Sequence, residues 1–66
     1  MTAEEPREVF FEFTVIGAVV KVVAIDAATG TEVSVIGPAS ATQSDLERLA
    51  LNKLKARLAK AANPHM

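Results

Sequence analysis

Residues 8–26 read Glu8-Val9-Phe10-Phe11-Glu12-Phe13-Thr14-Val15-Ile16, then Gly17-Ala18, then Val19-Val20-Lys21-Val22-Val23-Ala24-Ile25-Asp26. Two runs rich in β-branched and aromatic residues thus flank a two-residue connection with glycine first. That is the chemistry of a type II′ hairpin, whose first central position needs positive φ. The turn fixes a register, with Ile16 opposite Val19. From there Val15/Val20, Phe13/Val22 and Phe11/Ala24 fall on one face, and Thr14/Lys21 and Glu12/Val23 on the other. One wholly apolar face, obtained from an independent turn assignment, supports the hairpin.

Working outward, Ala27-Ala28-Thr29-Gly30 is a second turn, with Asp26 before it and glycine where an αL residue belongs. A third strand is predicted over 31–36. With Asp26 facing Thr31, Ala24 meets Val33 and Val22 meets Val35. The core-facing set is then Val9, Phe11, Phe13, Val15, Val20, Val22, Ala24, Val33 and Val35. Gly37-Pro38 is expected to end the strand, since proline cannot donate to a ladder. After a small-residue loop, Ser44-Asp45-Leu46-Glu47 reads as a capping box with Ser44 at the N-cap. The helix should run to about residue 62, stopped by Asn63-Pro64. Leu46, Ala50, Leu51, Leu54, Leu58 and Ala61 make one stripe, and Arg48, Asn52, Lys55 and Ala59 lie opposite. Such a helix spans roughly 27 Å, and a strand of the predicted length roughly 26 Å. The fold class is α+β: a three-stranded antiparallel β-meander followed by one C-terminal helix packed on one sheet face. A single domain over 8–62 is expected between short tails at 1–7 and 63–66.

Composition bounds the rest. The 66 residues are 50% hydrophobic and 23% charged, as in a folded chain. Seven basic against eight acidic residues leave a net charge of −1, so no overall charge draws the chain to nucleic acid or acidic lipid. There is no cysteine, which removes disulfides, thiolate catalysis and Cys-based zinc sites and suits a reducing compartment. Glu12, Lys21 and Asp26 interrupt the apolar runs before any reaches the ~20 residues of a membrane span. The acidic start, Met1-Thr2-Ala3-Glu4-Glu5-Pro6, lacks the basic opening of a signal peptide. A cytoplasmic location is the expectation.

Candidate chemistry is sparse. His65 is the single histidine, placed in the terminal tail, and with no cysteine or second histidine no metal site can be assembled. Ser34, Ser40 and Ser44 have no base to activate them. Glu12 is explained by a surface ion pair with Lys21, diagonal to it, and Asp26 by its turn. No glycine-rich loop opens into a helix to cradle phosphate. The chain is therefore expected to have no catalytic residues, cofactor, metal or small-molecule substrate.

Charge is uneven. Residues 1–36 carry six acidic and two basic side chains, and residues from 45 onward carry five basic and two acidic. Arg48, Lys55 and Lys60 could form a nucleic-acid face, but dipole complementarity and a solvated outer surface explain the same pattern. The architecture resembles the end of a double-stranded RNA-binding domain. That family's lysine cluster is replaced here by Ser44-Asp45-Leu46-Glu47, whose acids would repel phosphate. Over most of its length the chain is instead similar to a family of small uncharacterised bacterial proteins. Pro6-Arg7-Glu8-Val9, Asp26-Ala27-Ala28-Thr29-Gly30-Thr31-Glu32-Val33 and Gly37-Pro38-Ala39 carry the resemblance. It implies a bacterial cytoplasmic domain and brings no activity, cofactor or site residues.

The anomaly is the sheet face away from the helix. It would carry Phe10, Ile16, Val19, Val23, Ile25 and Ile36 among Glu12, Thr14, Lys21, Glu32 and Ser34, whereas a solvated face is normally mostly polar. Chains below ~70–80 residues rarely draw more than ~3–5 kcal/mol from their core without a staple. With disulfides and metals excluded, oligomerisation remains. The expected function is a non-enzymatic interaction module, a twofold dimer or a protein-partner binder, using the open face or an edge strand. A nucleic-acid accessory role stands second.

Overall fold

The computed structural model describes residues 8–62. Three strands, β1 (Val9–Ile16), β2 (Val19–Asp26) and β3 (Glu32–Pro38), precede one helix, α1 (Gln43–Ala62). The strands form one antiparallel sheet in the order β1-β2-β3, a simple meander. The expected tails at 1–7 and 63–66, His65 among them, lie outside the described residues.

Both hairpin registers follow from turn chemistry. Ile16 faces Val19, Phe13 faces Val22 and Phe11 faces Ala24, while Ala24 faces Val33 and Val22 faces Val35. Gly17 has φ of 60°, and among the described residues no non-glycine residue has positive φ. Positive φ at the first turn position alone is the type II′ pattern, since type I′ would require it at Ala18 as well. Gly30 takes φ of 77° at the second turn. There the fully buried Asp26 carboxylate accepts from the Thr29 amide at 3.0 Å and the Thr29 hydroxyl at 2.7 Å. The same residue exchanges backbone bonds with the turn, its N–H donating to Thr31 O and its carbonyl accepting from Gly30 N, each at 2.8 Å. A buried carboxylate with several donors directed at it is a structural turn residue.

Two local expectations change. Gly37-Pro38 does not end β3 but occupies its last two positions, with Pro38 opposite Val19. Proline is accommodated because its nitrogen points away from β2, along the outer edge, where no ladder bond is lost. The helix also begins earlier than Ser44. The Thr42 hydroxyl accepts from the Asp45 amide at 3.3 Å, and Thr42 O from Leu46 N at 3.2 Å. Thr42 is therefore the N-cap, because Thr42-Gln43-Ser44-Asp45 offers the same hydroxyl-to-N3 spacing two residues upstream. Ser44 lies exposed in the first turn, and Asp45 complements the helix dipole there.

Helix α1 lies on β2 and β3 and runs antiparallel to β3. Leu46 sits over Gly37, Lys53 reaches Ser34, and Arg57 stands beside Val33. Val20, Val22, Ala24 and Val33 are buried against Leu46, Ala50 and Leu54. Val9, Phe11, Phe13, Val35 and Leu58 are packed at the margin of this core, partly buried. Val15, expected in the core, is 68% exposed. The reason is width: one helix is about 10 Å across and strands lie about 4.8 Å apart, so a helix centred on β2 and β3 covers β1 only in part.

Candidate interaction surface

The two registers place every residue of the sheet face that the helix leaves open. Ile16, Val19 and Pro38 form one cross-strand row, followed by Thr14, Lys21 and Ile36. Glu12, Val23 and Ser34 come next, and then Phe10, Ile25 and Glu32. The six residues singled out from the sequence therefore share one face but divide into two groups. Ile16, Val19 and Ile36 cluster at the first-hairpin end; Phe10 and Ile25 sit at the other, next to Val23. Phe10 is 51% exposed, Ile16 56% and Ile36 68%, while Val23 and Ile25 on the central strand are half-buried. Glu12 and Lys21 are diagonal neighbours, yet no ion pair closes between them; between described residues the ion pair joins Arg48 to Asp45 at 3.9 Å.

The uncovered surface continues round β1 onto the helix side. Phe13 and Val15 line a shallow groove with Ala39, Ala41 and Leu46, so β1 carries unshielded apolar groups on both faces.

The two sheet edges differ. Ile16 and Val19 close the first hairpin as a hydrogen-bonded pair, and Ala27 N donates to Glu8 O at 3.0 Å, so the even-numbered residues of β1 bond to β2. The N–H and C=O groups of Val9, Phe11, Phe13 and Val15 accordingly point outward. Among the described residues no strand pairs with them and no side chain is bonded to them. On β3 the Asp26 N to Thr31 O bond sets the opposite parity, so Glu32, Ser34, Ile36 and Pro38 face outward. That edge is blunted. Lys53 Nζ donates to Ser34 O at 2.7 Å, and Pro38 has no N–H to offer. The lysine is a structural residue that sequence reading passed over, because its partner is 19 positions away.

The basic candidates are not brought together as a set. Lys60 lines a groove with Lys53 and Arg57 beside Val33, whereas Arg48 sits by Asp45 one face away and Lys55 is exposed. Ser34 lies on the edge of β3, and Ser40 and Ser44 are exposed on the way into the helix. Among the described residues no group of three His, Cys, Asp or Glu side chains is placed to hold a metal ion, and no helix is long and apolar enough to cross a membrane.

These features define a small βββα domain with one sheet face covered by a helix and one edge closed by a lysine. The chain belongs to the family described as "Domain of unknown function (DUF6898)", which it matches over residues 6–61, nearly the whole length. No curated protein and no solved structure gives a match.

Proposed function

We propose that this chain is a non-enzymatic assembly module of the cytoplasm that associates with a second copy of itself through its open sheet face or an edge strand. The observation that carries this reading is the exposure of Phe10, Val15, Ile16 and Ile36, each more than half accessible on a chain of 7.0 kDa. Large apolar groups this exposed on so small a molecule mark an interaction surface. A twofold axis lets one patch satisfy itself, and it supplies the extra burial that short chains need. Light scattering after size exclusion at micromolar concentration tests it. A mass of twice the chain is expected; a folded monomer at all accessible concentrations refutes self-association.

A second reading, binding of nucleic-acid phosphate, draws on the grouping of Lys53, Arg57 and Lys60 beside β3. It predicts retention on nucleic acid that weakens steeply between low and moderate salt. The first reading is favoured because Lys53 is already engaged with Ser34 O and Glu32 shares the adjoining groove.

A further inference from the structure

We infer that the second copy pairs edge to edge, β1 against β1 in antiparallel orientation about a twofold axis at Phe13, joining the two sheets into one; this rests on the self-association proposed above. Three observations converge. Only one edge is available, since Lys53 and Pro38 occupy the β3 edge while the outward groups of Phe11, Phe13 and Val15 have no bonded partner among the described residues. The helix packs on β2 and β3, leaving β1 at the margin of the core. The third is the order of side chains along β1 itself.

Residues that point outward on both copies become the hydrogen-bonded pairs of a new antiparallel ladder, so the axis must pass through a register that matches odd positions. Centred on Phe13, the register places Phe13 opposite the partner's Phe13 and Phe11 opposite the partner's Val15, all on the helix side. On the open face it places Phe10 opposite the partner's Ile16 and Glu12 opposite the partner's Thr14. Each apolar residue from 10 to 16 thus meets an apolar residue, and each polar residue meets a polar one. The three large apolar residues of β1 more than half exposed in the single chain, Phe10, Val15 and Ile16, are all among those matched. Shifting the axis by one residue, to Glu12, sets two carboxylates directly opposite each other and Phe10 against Thr14. Like charges so placed are destabilising. The strand is complementary to itself in one register.

Thr14 gives a test that separates pairing from simple stability. Within one chain it faces Lys21, whereas across the proposed axis it faces the partner's Glu12. Thr14→Lys should therefore tighten the dimer while slightly weakening the monomer fold, and Thr14→Glu should do the reverse. Because each contact occurs twice, roughly two- to tenfold changes in the dimer dissociation constant are expected in opposite directions. Backbone amide exchange on the wild-type dimer supplies a readout independent of any variant. The amides of Phe11, Phe13 and Val15, outward-facing in one chain, should be protected and should lose that protection on dilution to monomer. Val23→Glu, in the middle of the open face, should leave the dimer intact. A dimer with fast exchange at those three amides, dissociated by Val23→Glu, would overturn edge pairing while leaving self-association standing. A monomeric wild-type chain would overturn both.

Discussion

Leu46 closes over Gly37 so tightly that a Cβ placed on the glycine would lie 2.5 Å from Leu46 Cδ2. The contact joins the first turn of α1 to the last positions of β3 and sets how near the helix comes to the sheet. Gly37 has ordinary negative φ, so its requirement is space and not backbone freedom. Gly37→Ala should destabilise the domain by about 1–3 kcal/mol, the usual effect of overpacking a core. Shortening the opposing side chain, in Gly37→Ala with Leu46→Val, should recover part of the loss. Strictly additive effects in a denaturant double-mutant cycle would show that the two residues do not press on one another.

Leu54 is fully buried beneath the centre of the helix, and its neighbour Lys55 is exposed. Leu54→Ala should cost roughly 2–5 kcal/mol and Lys55→Ala within about 0.5 kcal/mol. Chemical denaturation monitored by circular dichroism measures both. Equal small effects would contradict the packing of α1 on β2 and β3.

The first hairpin depends on positive φ at Gly17. No atom crowds that position, so the effect of a substitution there is conformational and not steric packing. Gly17→Val forces a β-branched residue into the left-handed region and should destabilise by at least about 1–2 kcal/mol. Ala18→Gly, where φ is not positive, should be mild. Comparable melting temperatures for the two variants would argue against a type II′ turn.

At the helix start the hydroxyls of Thr42 and Ser44 should behave differently. Thr42→Ala removes the acceptor of the Asp45 amide and should cost about 0.5–2 kcal/mol. Ser44→Ala, inside the first turn and exposed, should be close to neutral. Thermal unfolding of the two variants distinguishes the caps.

What the sequence determined by itself was local and periodic. Two-residue alternation along 9–16 and 19–26, glycine first in the turn between them, and Gly30 closing the next turn specify the strands, both registers and the face each side chain takes. These depend on neighbours a few residues apart, so the information lies within short windows. The helix was legible for the same reason, except at its start, where two hydroxyl residues with similar spacing competed and the more upstream one took the cap. Tertiary structure decided where the helix lies across the sheet. Its finite width leaves Val15 exposed, although the alternation of β1 places that residue on the same face as the buried Val20 and Val22. The difference between the two edges was settled in the same way. Lys53 is one of several lysines along the helix until packing carries its ammonium group to Ser34 O, and β1 becomes the open edge only once α1 has settled over the other two strands.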